Sequence, residues 1–285
     1  MIFEILTLFP AMFEGPFSDS IIKRAREKGL ISIGIVNFRD FTDDKHNTVD
    51  DYPYGGDPGM LIKPQPLARA IEASREWLSE FRPKVVFLTP QGERLDHRIA
   101  LGLRREKALI LLCGRYKGVD QRIIDHYVDQ EISIGDFVLS GGEIPAMALV
   151  DAVTRLIPGV LGNKESAEAD SFFNGLLSPP QYTRPEEFEQ AMVPEVLLSG
   201  HHKNIKLWQM EQAIAITKAK RPDLWEKYCK EEGRRLKDEC GKQEIESQKK
   251  KVEGSKIKVE SRILKGRKSK VESQEPKVRK LKVKN

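Results

Sequence analysis

The sequence predicts an α/β fold built on an open, mostly parallel sheet that is covered by helices. Apolar strand segments alternate with helical segments over roughly the first 160 residues, which is typical of such sheets. Ala108–Cys113 is almost purely apolar, as expected for a strand that is buried on both faces. Three strand segments end in loops rich in glycine or proline, at the edge where open α/β sheets bind ligands.

Hydrophobic periodicity and turn residues place the elements of this sheet along the chain. Strands are predicted at Ile2–Phe9, Ile31–Phe38, Lys84–Thr89, Ala108–Cys113 and Glu131–Ile134. Helices are predicted at Ser18–Lys28, Gln65–Phe81, Asp96–Lys107, Val119–His126 and Glu143–Ile157. Between them, Tyr52–Met60 combines glycine, proline and aromatic residues, so we expect an ordered, irregular loop that contacts another molecule or segment.

Charge and cysteine content bound the class of protein. The net charge of +5 is uneven, because residues 241–285 hold 16 Lys and Arg against six Glu, which leaves residues 1–240 at −5. The three cysteines have neither disulfide-framework nor zinc-site spacing, which favours a reducing cytoplasm. A basic signal-peptide start and an apolar run of membrane-spanning length are both missing from the sequence, so we expect no membrane association.

The stretch Ile132–Met147 is the centre of the predicted site. A strand leads into a tight apolar loop, then into Ser140-Gly141-Gly142 and a helix with Ser140 as its predicted N-cap. The two glycines predict a close approach of a ligand to the backbone. The charges in the stretch are acidic, which argues against a nucleoside triphosphate and favours a neutral or cationic ligand. The alternative is an ordinary strand–turn–helix connection.

The second half of the sequence predicts a smaller domain after a linker. Val160–Ser178 is interpreted as a flexible linker, and helices are predicted at Pro185–Met192, Lys203–Thr217 and Pro222–Lys230. These segments indicate a small all-helical domain whose lysines form either a basic binding face or an ordinary solvated surface. Residues 231–285 predict a disordered, basic, low-complexity tail that either attracts nucleic acid weakly or only aids solubility.

Nine motifs in this order closely resemble the bacterial tRNA (guanine-N1)-methyltransferases of the TrmD type, in the SPOUT superfamily. The resemblance covers about residues 1–228. The motifs are LFPxMF (Leu8–Phe13), PYGGDPGM (Pro53–Met60), TPQG (Thr89–Gly92), LCGRYKGVDQR (Leu112–Arg122), SIGDFVLSGGE-PAM (Ser133–Met147), RLIPGVLG (Arg155–Gly162), DSF (Asp170–Phe172), YTRP (Tyr182–Pro185) and VLLSGHH (Val196–His202).

The resemblance implies properties that the residue pattern alone does not give. It implies a C-terminal trefoil knot in the sheet domain, S-adenosylmethionine as cofactor, a homodimer whose sites use both subunits, and tRNA guanosine 37 as substrate. It gives a knotted methyltransferase domain at residues 1–159, a linker at 160–178 that carries the catalytic aspartate, a helical tRNA-binding domain at 179–230 and the tail at 231–285. Magnesium is an expectation of the family, but the sequence offers no clear ligand cluster for it.

The resemblance also implies the catalytic residues. Asp170 matches the family's general base, which removes the proton from guanine N1, and Arg155 matches the arginine that stabilises the developing charge. Each has a structural alternative, because Asp170 fits a helix cap before Ser171 and Arg155 fits an i,i+4 pair with Asp151.

The binding residues follow in the same way. The resemblance implies that cofactor is bound by Leu88, Thr89, Pro90, Gly114, Tyr116, Ser133, Ile134, Gly135, Asp136, Phe137, Val138, Leu139, Gly141, Gly142 and Pro145. It implies that the target guanine contacts Tyr54, Gly55, Gly59 and Met60. The chain departs from the family at Asp57, where many members carry Gly, and at Lys117, where many carry Glu. We therefore expect the local backbone and the surroundings of the cofactor's charged end to differ from those of the family.

Two alternatives compete with this interpretation. One is a non-catalytic RNA-binding protein that has kept the fold, against which the presence of both Arg155 and Asp170 argues. The other is a SPOUT enzyme with a different RNA target, against which the C-terminal domain and its YTRP motif argue. The sequence has neither a GxxxxGK[ST] nor a GxGxxG motif, so a P-loop or dinucleotide enzyme is not indicated.

Overall fold

The computed structural model describes residues 1–162 and 170–233. The chain divides into two compact units, Met1–Asn174 and Gly175–Asn285. Residues 163–169 and 234–285 are not described, so part of the predicted linker and nearly all of the predicted tail lie outside the described residues. No helix within the described ranges is both long and apolar enough to cross a membrane.

The first unit contains a five-stranded sheet in which all neighbouring strands run parallel, as the sequence predicts. Its strands are β1 (Ile2–Thr7), β2 (Ser32–Asn37), β5 (Lys84–Arg94), β6 (Ala108–Cys113) and β7 (Gln130–Ser133), in the order β2-β1-β6-β5-β7. A separate antiparallel pair joins β3 (Asp50–Asp51) to β4 (Leu61–Ile62). The helices are α1 (Glu14–Phe17), α2 (Ser20–Glu27), α3 (Pro64–Trp77), α4 (His97–Leu103), α5 (Gln121–Tyr127) and α6 (Glu143–Arg155).

Helices cover both faces of this sheet, which explains the apolar character of β6. Leu109 and Leu111 of β6 belong to one core cluster, together with residues of α2, α4 and α6. Ile110 and Leu112 face the opposite way and belong to a second cluster, with residues of α3 and α5. Every residue of β6 is buried, so this central strand leaves no position for a polar side chain.

Several element boundaries differ from those predicted, for local reasons. The strand β5 continues past the predicted stop at Pro90, because a shift of register between Leu88 and Glu93 lets its end pair again with β7. Asp96 caps α4 by accepting a hydrogen bond from the backbone amide of Ile99 at 2.8 Å. Ser140 is not the N-cap of α6; Gly142 occupies that position, without a side-chain cap.

The second unit is not all-helical in its described part. The predicted helix at Pro185–Met192 is wrong: β8 (Glu187–Phe188) and β9 (Ala191–Met192) form an antiparallel hairpin there. Its two turn residues, Glu189 and Gln190, both have positive φ angles, as a two-residue hairpin turn requires. The helices are α7 (Glu195–Leu198), α8 (His202–Lys220) and α9 at 222–233.

Candidate active site

A cavity of about 390 Å³ opens at the register shift of β5 and at the carboxyl ends of β6 and β7. Its walls are residues 87–91 of β5, the loops that follow β6 and β7, and the first turn of α6. Fourteen of the fifteen predicted cofactor-binding residues line it: Leu88, Thr89, Pro90, Gly114, Tyr116, Ser133, Ile134, Gly135, Phe137, Val138, Leu139, Gly141, Gly142 and Pro145. Asp136 is exposed and is not part of the lining.

The glycines before α6 are required by packing between two loops of the cavity wall. A Cβ atom at Gly142 would lie 2.7 Å from Cα of Cys113 and 3.0 Å from the backbone nitrogen of Gly114. The amide of Gly142 donates a hydrogen bond of 2.9 Å to the carbonyl of Gly114. At Gly141 an added Cβ would meet the side chains of Arg115 and Glu143. The glycine pair therefore packs the cavity wall together, and the predicted close approach of a ligand to this backbone stays a prediction.

A nearly buried ion pair supports the same wall. The Glu143 carboxylate, 1% exposed, lies 3.3 Å from Nε of Arg115 and accepts a hydrogen bond of 2.9 Å from the hydroxyl of Thr7. The Arg115 guanidinium also stacks over the ring of Phe9, at 4.2 Å from the ring centroid. Because Arg115 lines the cavity, this network ties the cavity loop to the end of β1 and the start of α6.

The cavity is less acidic than the stretch Ile132–Met147 alone suggests. That stretch carries no basic residue, but the loop after β6 brings Arg115 and Lys117 into the cavity lining. Each cation lies opposite a carboxylate, since Arg115 faces Glu143 and Lys117 Nζ is 3.5 Å from Asp57. Arg115 was not predicted as a site residue. The signal that could have found it is Glu143, a carboxylate directly before the apolar run Ile144–Val150 of α6.

The loop predicted to receive the guanine lies next to the cavity loop but outside the cavity lining. Tyr54 at its tip is fully exposed, and Gly55 and Gly59 have positive φ angles that favour glycine. Met60 accepts a hydrogen bond of 3.0 Å on its carbonyl from the amide of Lys117. The four predicted guanine-contact residues are thus presented on one exposed loop that is anchored to the cavity wall.

The two predicted catalytic residues form an ion pair. Nη2 of Arg155 donates a hydrogen bond of 2.7 Å to Oδ2 of Asp170, and both side chains are partly exposed. Among the ion pairs of the described residues, Arg155 has Asp170 as partner and not Asp151. The pair does not line the cavity. Ten residues of α6 separate Arg155 from Pro145 at the cavity wall, which corresponds to about 15 Å along the helix axis.

The segment that carries Asp170 rests on helix α4. The rings of Phe173 and His97 meet edge to face, with centroids 6.1 Å apart. Nε2 of His97 is buried without a hydrogen-bond partner among the described residues. Burial lowers the pKa of His97, and the Asp96 carboxylate opposes this shift. The neutral imidazole is therefore the form that suits this contact.

The described residues contain no group of three or more His, Cys, Asp or Glu side chains that could hold a metal ion. Magnesium therefore stays a prediction that rests on the family resemblance alone.

Comparison with known proteins identifies the family. The family model described as tRNA (Guanine-1)-methyltransferase TrmD matches residues 1–227. A relative from Geotalea uraniireducens, named tRNA (guanine-N(1)-)-methyltransferase, is 56% identical over 224 residues, which cover 79% of this chain and 90% of the relative. A relative of the same name from Anoxybacillus flavithermus is 52% identical over 225 residues, which cover 79% of this chain and 91% of the relative.

The fold has a match among solved structures. The crystal structure of the tRNA (m1G37) methyltransferase from Aquifex aeolicus matches with a TM-score of 0.64 at 41% identity, over 80% of this chain and 95% of that one. The sequence match covers residues 1–227, and the parallel sheet agrees with the fold of the matched structure. The chain therefore belongs to the TrmD family of tRNA (guanine-1)-methyltransferases.

Proposed function

We propose that this protein transfers a methyl group from S-adenosylmethionine to N1 of the guanosine at tRNA position 37. The relatives' names give the tRNA guanine reaction, and the name of the Aquifex aeolicus enzyme gives position 37. The observation that carries the proposal is the Arg155–Asp170 ion pair, because it supplies a positioned carboxylate base beside a cationic group.

The cavity suits the methyl donor. Its volume of about 390 Å³ falls in the usual range for small-molecule sites. Its lining combines apolar side chains with the exposed backbone of glycine-rich loops, which can bind an adenosine moiety by contact and by backbone hydrogen bonds. S-adenosylmethionine would supply the transferable methyl group there. We infer that the segments of the cavity wall form the trefoil knot of the family, a proposal supported by the tight contact between Gly142 and Gly114.

The chemistry at guanine assigns distinct roles to the ion pair. Guanine N1 carries a proton, so a base must accept it as the methyl group arrives. The Asp170 carboxylate, held at 2.7 Å by Arg155, can accept that proton. Arg155 has five N–H donors, and the contact with Asp170 occupies one side of the guanidinium. Its remaining donors can stabilise negative charge that develops on guanine O6.

We propose that the working site is completed by a second copy of the chain. Pro145 at the cavity wall and Arg155 lie about 15 Å apart along α6, so we infer that Asp170 serves the cavity of a second chain and not that of its own. Apolar side chains of the cavity wall and of the adjoining first turn of α6 are exposed, namely Phe137, Val138 (85%) and Ile144. Contiguous exposed apolar surface marks interaction sites, and a homodimer would cover it.

The remaining parts of the chain would bind the tRNA. The guanine would be received by Tyr54, Gly55, Gly59 and Met60, on the exposed loop beside the cavity. The second unit would bind the tRNA body through its basic helices, where the cations of α8 include Lys203, Lys206, Lys218 and Lys220. A tRNA substrate also implies that the protein works in the cytoplasm.

Nucleoside analysis tests the proposed reaction. Unmodified tRNA that carries G37 is incubated with the protein and S-adenosylmethionine, digested and analysed by mass spectrometry. We expect N1-methylguanosine from this tRNA and none from a matched transcript that carries adenosine at position 37. Binding of tRNA without methylation would support the alternative of a non-catalytic RNA-binding protein and would overturn the assignment.

A second experiment tests the roles in the ion pair. Asp170→Asn should lower the rate of methyl transfer by about 100-fold or more, because the positioned base is lost. Binding of S-adenosylhomocysteine should be retained, since Asp170 does not line the cavity. Asp151→Asn is the matched control, because it changes the nearby carboxylate of α6 that has no ion pair with Arg155. Near-normal turnover of the Asp170 variant would contradict its role as the base.

A further inference from the structure

Lys117 lies where two functional loops meet. Lys117 lines the cavity after β6, and its backbone amide donates to the carbonyl of Met60 at 3.0 Å. Two more backbone bonds continue this contact, from Ile62 to the carbonyl of Gly118 and from Asp120 to the carbonyl of Ile62. The base of the loop at residues 52–60 is therefore joined to the cavity wall through the backbone.

The Lys117 side chain extends this contact from the base of the loop toward its tip. Its ammonium group is 3.5 Å from Oδ2 of Asp57. Its aliphatic carbons lie 3.3–3.5 Å from the place where a Cβ of Gly59 would be, so a larger residue there would displace the lysine. Gly59 also has a φ of +108°, which L-amino acids with side chains rarely adopt. Lys117 thus holds the loop by charge at Asp57 and by packing at Gly59.

We propose that the Lys117–Asp57 pair, here called the loop clasp, is a positioning device that couples the methyl-donor cavity to the loop that receives the guanine. The proposal rests on the proposed function for the identity of the two ligands. Both side chains of the clasp are largely exposed, so the clasp contributes little to folding. Its effect is on loop placement, because the same lysine contacts the inside of the cavity and the exposed loop.

The coupling predicts a specific kinetic pattern. Occupation of the cavity restricts Lys117, and a restricted Lys117 holds Asp57 and the loop in one arrangement. By linkage, each ligand then favours the binding of the other by the same factor. Loss of the clasp should therefore weaken tRNA binding when the donor site is filled, while it leaves the affinity of the empty enzyme for the donor nearly unchanged.

The test uses the full-length protein and a matched control. Asp57→Asn removes the acid of the clasp, which lies outside the cavity lining. Asp43→Asn removes the acid of another exposed ion pair, Arg69–Asp43, whose side chains are 45% and 78% exposed against 42% and 77% in the clasp. We expect Asp57→Asn to raise the KM for tRNA by about 5-fold, the lower end of measured couplings. In the Asp43→Asn control, the KM for tRNA should change less than about 2-fold. In Asp57→Asn, kcat and the dissociation constant of S-adenosylhomocysteine should also change less than about 2-fold.

A double-mutant cycle with Lys117→Met decides whether the two residues act together. If they do, Asp57→Asn should raise the KM for tRNA little further once Lys117 is replaced. The proposal is overturned if the effects of the two single variants simply multiply in the double variant. It is also overturned if Asp57→Asn behaves like the Asp43→Asn control.

Amide hydrogen exchange separates failure of the clasp from failure of the proposed function. We expect residues 52–60 to exchange at least several-fold faster in Asp57→Asn than in the wild type when S-adenosylhomocysteine is bound. This readout does not depend on methyl transfer. Faster exchange without N1-methylguanosine formation by the wild type would support the clasp and refute the function, whereas unchanged exchange would refute the clasp.

Discussion

Replacement of Gly142 by alanine is the sharpest test of how the cavity wall is built. The backbone of Gly142 has φ −80° and ψ −4°, which alanine adopts without strain. Any effect of this substitution must therefore come from the space that the methyl group enters. That methyl group would lie 2.7 Å from Cα of Cys113, about 0.7 Å closer than the 3.4 Å at which ordinary contact begins.

The neighbouring atoms cannot move easily to relieve this contact. They belong to the backbone of Cys113 and Gly114, at the end of the fully buried strand β6. The loop that starts α6 must therefore shift, and the hydrogen bond from Gly142 to Gly114 must lengthen. Insertion of a methyl group into a packed site costs about 1–3 kcal/mol. A displacement of about 1 Å near a reacting centre lowers the rate by about 100-fold.

Two assays and one control measure these effects. Urea unfolding should show the free energy of unfolding of Gly142→Ala lowered by about 1–3 kcal/mol, and kcat/KM for methyl transfer should fall by about 100-fold. Gly102→Ala is the control, because an added Cβ there has no atom within 4 Å and the position lies in α4. This control should gain about 0.5–1 kcal/mol of stability. Unchanged stability and activity of Gly142→Ala would refute the packing argument.

Three further predictions concern other parts of the first unit and one exposed thiol of the second. Iodoacetamide should label the exposed Cys229 but not Cys113 in the native protein. Burial blocks access to the Cys113 thiol and raises its pKa well above the ordinary value. Peptide mapping measures labelling at both sites, and labelling of Cys113 without unfolding would contradict its burial. Burial lowers the pKa of His97 below 6.5, with Asp96 opposing the shift, so its stabilising contribution is complete above pH 6.5 and is lost as the pH falls through the folded-state pKa. The free energy of unfolding, measured from about pH 7 to about pH 5, should then fall more steeply in the wild type than in His97→Phe, and equal slopes would speak against this contribution. Glu143→Gln leaves the mostly buried Arg115 guanidinium facing a neutral amide, so the free energy of unfolding in urea should fall by about 3 kcal/mol. A fall of less than about 1 kcal/mol would mean that solvent screens the pair as it screens a surface ion pair.

The parallel sheet could be predicted because its signal is local. A strand such as β6, apolar at every position, fits only between two layers of helices, and the structure has those layers. The hairpin at Glu187–Met192 could not be predicted in the same way. Its turn depends on positive φ angles at Glu189 and Gln190, two residues that do not favour such angles by themselves. Tertiary context therefore decided the conformation of that segment.

In the candidate site, too, local features could be predicted from the sequence and tertiary contacts could not. The carboxyl edge of the sheet could be located from the glycine-rich loops, whereas the individual cofactor residues came from the family resemblance. The Arg115–Glu143 pair was missed because its members are 28 positions apart in sequence and meet only through the packing of two loops. The lysine at position 117 was noted as a departure from the family. Its contact with Asp57, the other departure, became visible only in three dimensions.

Helix α6 sets the distance between the donor cavity and the Arg155–Asp170 pair. Its first turn forms part of the cavity wall and its last residue is Arg155, so its 13 residues fix both the separation and the relative direction of these groups. One inserted residue would turn Arg155 by about 100° and move it by about 1.5 Å. Four inserted residues would nearly restore its direction but move it by about 6 Å. Substitutions on the solvent side of α6, away from Ile144 and Arg155, should thus be tolerated, whereas a change in its length should not.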